Sequence, residues 1–217
     1  MDTNVILDEM KRMFPDAKCA LHHRNAYELI VAVVLSAQTT DEAVNKITPA
    51  LFQRYPTVYD LAEADVNEIA SYIKTIGLYR NKSKMIKEMA YSIVHDFQGI
   101  VPNTHKKLTS LAGVGRKTAN VVLSVWYHIP AFAVDSHVER FSKRLGLAKF
   151  KDDVAVVERK LNRKIDRNRW NEGHHLFIFF GRYHCTARNP KCEACPFTDI
   201  CKKDKFDTYK QKIKQGL

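Results

Sequence analysis

The sequence of 217 residues predicts an all-α protein. Residues 3–14 and 84–98 carry apolar side chains at helical spacing, so each segment has one apolar face. Capping pairs such as Asn25 with Glu28 precede several of the apolar segments. The sequence contains no convincing pair of strands and no internal repeat. Together these observations favour a fold built from helices.

Four helices are predicted before residue 76, and the last three have a start or stop signal. The second contains the apolar run Leu29–Ala37, which periodicity alone could also assign to a strand. The Asn25 cap decides for a buried helix. The third is capped by Thr39 and stopped by Pro56. In chain order the four segments are 3–14, 25–37, 39–55 and 66–74.

The rest of the chain is predicted to be helical between short connections. Residues 76–82 are expected to form a loop in which Leu78 stands among basic residues. A long helix follows over 84–98, and Gly99 provides its C-cap. The remaining segments are a short helix up to Leu111 and helices over 115–127, 138–145, 154–165 and 169–183.

The charge balance predicts a polyanionic partner. The formal net charge is +11, which favours nucleic acid over the alternative of a merely basic protein. No signal peptide is visible, because acidic residues and Lys11-Arg12 precede any apolar run. The longest such run, Leu29–Leu35, is too short to span a bilayer. We therefore expect a cytoplasmic protein with no membrane partner, in a reducing compartment that disfavours disulfides.

Residues 108–137 hold the chain's most informative pattern. Gly113-Val114-Gly115 is predicted to form a tight turn between two helices. Its glycines allow positive φ and bare several N–H groups beside a helix N-terminus, which is a ready phosphate site. Lys117 lies in the first turn of the second helix, and Asp135 opens the next one.

Two segments of this pattern carry a family resemblance. Leu-Ala-Gly-Val-Gly-Arg-Lys-Thr-Ala-Asn-Val-Val at 111–122 and Ala-Val-Asp-Ser-His at 133–137 resemble the helix-hairpin-helix and trailing aspartate of the HhH-GPD base-excision DNA glycosylases. The resemblance extends from Leu-Ser-Ala-Gln at 35–38 to Cys201. It implies two lobes with DNA in the cleft between them. A six-helix barrel with the helix-hairpin-helix would occupy 22–132, and an iron–sulfur domain would combine 1–21 with 133–217.

The resemblance also implies a reaction. A bifunctional DNA glycosylase and AP lyase removes oxidised pyrimidines from duplex DNA through a lysine Schiff base, and β-elimination then cuts the strand. Lys117 would be the nucleophile, since the positive end of its helix disfavours an ammonium and so favours the neutral amine. Asp135 would stabilise positive charge on the sugar. Outside this family, a surface lysine and a plain N-cap aspartate would be the ordinary interpretations.

Reaching the sugar requires the nucleotide to leave the base stack, and something must fill the gap. The resemblance implies that Gln38 fills it and that Leu78 acts as a wedge. Their ordinary interpretations are a polar residue at a helix end and a stray exposed leucine.

Four cysteines near the C-terminus form a metal-binding pattern. Cys185, Cys192, Cys195 and Cys201 are spaced C-x6-C-x2-C-x5-C, which suits either a zinc ion or a [4Fe–4S] cube. The spacing alone leaves both open, and its similarity to the iron–sulfur loop of family members decides for a structural cube. Arg188 and Lys191 project from this loop and are expected to contact DNA phosphates, the alternative being solvated charge.

The sequence therefore predicts a monomeric bacterial enzyme that acts on damaged double-stranded DNA at the nucleoid. Two alternatives fit the sequence less well. A monofunctional adenine-mismatch glycosylase of the same superfamily lacks the lysine and carries a further C-terminal domain. A non-catalytic helix-hairpin-helix module would need neither Lys117 nor Asp135. The fifth cysteine, Cys19, receives no role.

Overall fold

Twelve α-helices and two short 3₁₀ turns, at 167–169 and 198–200, make up the regular structure of the computed structural model, which describes residues 2–216. No strand occurs in that range, so the predicted all-α class is confirmed. None of the helices in it is long and apolar enough to cross a bilayer. The helices are α1 (Thr3–Met13), α2 (Ala26–Leu35), α3 (Asp41–Arg54), α4 (Val58–Glu63), α5 (Val66–Ile73), α6 (Tyr79–Phe97), α7 (His105–Leu108), α8 (Arg116–Val125), α9 (Ser136–Arg144), α10 (Val154–Lys164), α11 (Trp170–Tyr183) and α12 (Lys203–Lys214).

The chain divides into two compact units. We call Cys19–Ile129 the central unit, and Met1–Lys18 together with Pro130–Leu217 the terminal unit.

The central unit is organised around α2. Every residue of this helix from Tyr27 to Leu35 is buried, as the apolar run predicts. Asn25 caps its start by accepting the Glu28 amide over 2.8 Å. The helix packs against α3, α6 and α8. Through its contact with α2, α8 is held against the core of the central unit, and α8 is the helix that carries Lys117.

The terminal unit has an aromatic core around α11, which packs against α1 and α9. Phe141 of α9 meets Phe177 edge-on with ring centroids 5.1 Å apart, and it lies 4.8 Å from Phe180. Phe197 joins the cluster from the cysteine loop and is 5.4 Å from Phe180. Burial of this ring anchors the loop to the helices.

Several helix boundaries differ from the prediction. Helix α6 begins at Tyr79 and includes residues predicted as loop, because it starts after a left-handed Leu78 with no side-chain cap. Such a start carries no sequence signal. Thr40, not Thr39, caps α3 by accepting the Ala43 amide. Helices α4 and α12 were not predicted at all.

Candidate functional site

The turn between α7 and α8 contains one left-handed glycine. Gly113 has φ +73°, and a Cβ there would lie 3.2 Å from Val34 Cγ1 and 3.3 Å from Met85 Cβ. A side chain would thus be both strained and crowded. Val114 is buried, and its amide donates to the Leu111 carbonyl over 3.1 Å. The turn is therefore packed against α2 and α6.

The start of α8 is open. Gly115 is its N-cap with extended backbone (φ −85°) and supplies no side-chain hydrogen bond. The positive φ that both glycines allow is found at Gly113 but not at Gly115, whose conformation any residue adopts. Within residues 2–216, no hydrogen bond uses the amide of Gly113 or Gly115. Lys117 is exposed in the first turn of α8, two residues after Gly115, so the helix that carries the amine begins beside an amide that is available to an anion.

The start of α9 is closed by the Asp135 carboxylate. Its Oδ1 accepts the amides of His137 over 2.9 Å and Val138 over 2.8 Å, which confirms the predicted cap. The residue is half-buried, and Oδ2 takes no part in the cap. The two N–H bonds hold the carboxylate at the start of α9. The result is a negative charge in a fixed position.

His137 follows Asp135 and is engaged locally. Its Nδ1 lies 3.2 Å from Arg140 Nη2 and accepts from it, because a guanidinium can only donate. Burial lowers the pKa of His137 from its ordinary value, with Asp135 opposing the shift and Arg140 adding to it. This side chain supports the helix start, and we assign it no catalytic role.

Two arginines on later turns of α9 hold the cysteine loop. Arg140 donates to the Cys185 carbonyl from Nε over 3.2 Å and from Nη2 over 3.0 Å. Arg144 is buried and directs Nη1 at Cys185 Sγ over 3.4 Å and at the Thr186 carbonyl over 2.8 Å. The helix that Asp135 starts therefore also fixes the first cysteine of the loop.

The loop carries its cysteines on tight turns. The Cys195 amide donates to the Cys192 carbonyl over 3.1 Å, and the Cys185 amide to the Phe180 carbonyl over 2.7 Å. Cys192 is exposed, whereas the other three thiols are half-buried and pack against the aromatic core. Arg188 and Lys191 are both exposed on the same loop.

The four thiols fit an iron–sulfur cube. Burial raises the pKa of the Cys195 thiol, and the three other loop thiols raise it further, so the four share one electrostatic neighbourhood. Bound iron would relieve this repulsion, since it favours thiolates. Among residues 2–216, no group of three or more His, Cys, Asp or Glu side chains has the geometry to hold one metal ion. A cube spreads its sulfur ligands more widely than one ion does, so that finding concerns single-ion sites.

The two residues expected to enter DNA lie on strained backbone in the central unit. Gln38 has φ +54° and Leu78 has φ +59°, although neither is glycine. Both are exposed, Leu78 to 58% of its maximum. A bulky residue in the left-handed region is unusual and costs free energy. Such strain is common where a side chain must be presented to a ligand.

Sequence reasoning missed the side chains that support these positions. Lys82, Arg140 and Arg144 look like ordinary surface charges in the sequence, yet Lys82 and Arg144 are buried. Arg140 and Arg144 are four residues apart, which could have indicated that they share a face of α9. Lys82 lay in a predicted loop, and no signal would have found it.

Two family models match the chain, one for each part of the site. Residues 31–167 match the HhH-GPD superfamily of base excision DNA repair proteins, and 185–201 match the iron–sulfur binding domain of endonuclease III. Endonuclease III of Bacillus subtilis (strain 168) is 50% identical over 196 residues, covering 90% of each chain. The chain belongs to the endonuclease III family.

Solved structures of the endonuclease III family agree. A trapped endonuclease III–DNA covalent intermediate, an estranged-adenine complex, matches with TM-score 0.91 at 48% identity over 95% of this chain and 97% of that one. A non-covalent endonuclease III–DNA complex matches with TM-score 0.90 at 47% identity and the same coverage. The chain is thus a DNA-binding, bifunctional glycosylase and AP lyase of base excision repair with a [4Fe–4S] cluster. The predicted family, activity and cofactor are confirmed.

Proposed function

We propose that this enzyme excises oxidised pyrimidines from duplex DNA and that Lys117 is its nucleophile. The observation that carries the proposal is an exposed amine in the first turn of a helix with no side-chain cap. An exposed amine at this position is accessible to the sugar of bound DNA and can attack it to form a Schiff base.

The proposed reaction has two stages. The Lys117 amine forms a bond to C1′, and the damaged base leaves with the electrons of the glycosidic bond and takes up a proton. The bond from C1′ to the ring oxygen then opens to give a Schiff base. Loss of a C2′ proton expels the 3′ phosphate and cuts the strand. Asp135, whose Oδ2 is left over by the cap, would stabilise positive charge on the sugar and assist proton transfer.

The glycine turn and the cysteine loop would hold the DNA backbone. The unused amides of Gly113 and Gly115 suit a phosphate, and the buried Val114 keeps the turn in shape. Cys185, Cys192, Cys195 and Cys201 would hold the cluster, which when bound has a structural role and orders the loop. Arg188 and Lys191 would then contact phosphates, so each change to Ala should flatten the salt dependence of binding by about one unit.

Gln38 would fill the gap left by the extruded nucleotide and Leu78 would act as a wedge there, which their exposure and strained backbone support. We further propose that the enzyme acts as a monomer at the nucleoid in the bacterial cytoplasm. Its mass on DNA, measured by light scattering, should correspond to one chain per lesion.

Borohydride trapping tests the nucleophile. A Schiff base is reducible, so borohydride should fix a covalent adduct on a duplex with an oxidised pyrimidine, and peptide mapping should find it on Lys117. Lys117→Gln should abolish trapping and lower strand cleavage at least about a thousandfold while lesion binding persists. Lys106→Gln makes the same charge change at an exposed residue of α7 and should still trap.

Attachment at another residue would refute the role of Lys117 even if strands were still cut. Base release without trapping would instead favour a monofunctional glycosylase. The oxidised-pyrimidine preference is tested separately, on duplexes with oxidised pyrimidines or with adenine–guanine mismatches. Faster release from the mismatch would overturn it.

A further inference from the structure

Lys82 is a buried lysine that the proposed chemistry does not use. It is 3% exposed, and its Nζ donates to the Leu35 carbonyl over 2.8 Å and to Thr39 Oγ1 over 2.7 Å. Burial lowers its pKa from the ordinary value. Burying an amine is costly unless its hydrogen bonds are made, so this site has a specific reason to hold one.

The reason lies at the C-terminus of α2. The helix ends at Leu35, and the last carbonyls of a helix lack partners within it. The Thr39 amide turns back to the Ser36 carbonyl over 3.0 Å instead of continuing the helix. Lys82 takes the Leu35 carbonyl, where the negative end of the helix favours a cation. It thereby caps α2 and holds the turn at 36–39.

The same residue also holds Leu78. Its backbone amide donates to the Leu78 carbonyl over 3.0 Å, in the first turn of α6. Lys82 therefore contacts both left-handed segments, through its side chain at the turn of Gln38 and through its backbone at Leu78. Each left-handed residue stores strain that its surroundings must hold.

We propose that Lys82 is a positioning residue that fixes Gln38 relative to Leu78, so that both enter the gap in the DNA at once. This inference rests on the proposed gap-filling role of those two residues. Lys82 itself would touch neither the DNA nor the sugar. It would act by removing the alternative conformations of the 36–39 turn before binding, which lowers the ordering cost at the moment of insertion.

The test is a double-mutant cycle of DNA binding. Affinity is measured for an intact duplex and for one with a tetrahydrofuran abasic analogue, which the enzyme cannot cleave. Lys82→Met removes the donors and keeps an unbranched apolar chain. It should reduce the preference for the analogue about tenfold, the effect of losing roughly 1.4 kcal/mol of hydrogen bonding. Lys84→Met, at an exposed lysine of the same helix, should leave that preference unchanged.

Coupling to Gln38 separates positioning from mere stability. Gln38→Ala should also reduce the preference, and Lys82→Met combined with it should lose little more than either change alone. The inference would be overturned if the two changes reduced the preference additively. It would also be overturned if Lys82→Met weakened binding to both duplexes equally. If Gln38→Ala itself weakens both duplexes equally, the gap-filling role fails instead.

Thr39→Val keeps the test decisive if Lys82→Met folds poorly. It removes one acceptor at a half-buried site and leaves the Leu35 contact. It should reduce the preference about threefold, again not additively with Gln38→Ala. An unchanged preference in this variant would count against the inference.

Discussion

Two helices of this protein begin in opposite ways. Helix α8 begins at Gly115, which brings no side chain to the first turn. Helix α9 begins at Asp135, whose carboxylate accepts two of its first amides. The first start leaves amide donors open and places Lys117 beside them. The second uses its donors to hold an anion of its own.

The difference shows how one physical feature can serve two purposes. A helix N-terminus favours negative charge and disfavours positive charge. At α8 the anion must come from outside, which suits a DNA phosphate. At α9 the anion is built in and cannot move far. The proposed nucleophile and the proposed carboxylate thus each lie at a helix N-terminus, one uncapped and one capped.

Removal of the iron–sulfur cluster should have the largest effect of the changes considered. It should disturb the start of α9 more than the start of α8. Helix α9 is tied to Cys185 through Arg140 and Arg144, whereas α8 belongs to a unit with its own core. Cys192→Ser should leave most of the protein insoluble and colourless, because metal binding couples to folding. Cys19→Ser, which changes a cysteine outside the loop, should keep the brown colour.

Hydrogen exchange on purified protein stripped of iron by an oxidant and a chelator shows which helices depend on the cluster. Amides of α9 and α11 should lose protection while those of α2 and α8 keep it. Equal loss of protection in all four helices would mean that the starts of α8 and α9 both depend on the cluster.

The Asp135 carboxylate should matter more for the reaction than for stability. Asp135→Asn keeps a good helix cap but removes the charge, so base release should slow about a hundredfold with under about 0.5 kcal/mol lost in urea unfolding. Asp135→Ala should slow release similarly and also cost about 1 kcal/mol of stability. Single-turnover rates and unfolding curves give both quantities. If Asp135→Asn released base at the normal rate, Asp135 would be an ordinary cap.

Much of this contrast could be predicted from the sequence. The Asp135 cap, the buried α2 and the cysteine spacing all follow from local signals in neighbouring residues. Family resemblance supplied the reaction, which no periodicity could show.

Features that depend on tertiary packing could not be predicted. Nothing local shows that α6 starts at an uncapped left-handed Leu78, that of the two turn glycines Gly113 alone has positive φ, or that Lys82 is buried. Each depends on the neighbouring helices. The sequence therefore indicates candidates for the chemistry, but it does not indicate the residues that hold those candidates in place.

Adding a side-chain cap to the start of α8 should weaken DNA binding. Gly115 has extended backbone, and a Cβ at this residue would meet nothing within 4 Å beyond its chain neighbours, so a side chain fits there without strain. Gly115→Asp would supply an N-cap carboxylate, occupy the first amides and repel a phosphate, lowering affinity about tenfold at low salt. Gly115→Ser adds a cap without a charge, so it should lower the affinity for DNA by less. If the two variants bound equally well, phosphate would not use this helix start.

The smallest effect concerns the two glycines of the turn, which differ in conformation although they lie one residue apart. Gly113→Ser should cost about 1–2 kcal/mol of unfolding free energy, because φ +73° disfavours any Cβ and Val34 and Met85 crowd it. Gly115→Ser should gain a few tenths of a kcal/mol, since serine caps α8 and restricts the unfolded chain. Urea unfolding of both variants measures the difference. Equal destabilisation by the two changes would mean that the uncapped start of α8 at Gly115 is held by contacts of its own. The contrast with α9 would then lie in the charge of the Asp135 cap alone.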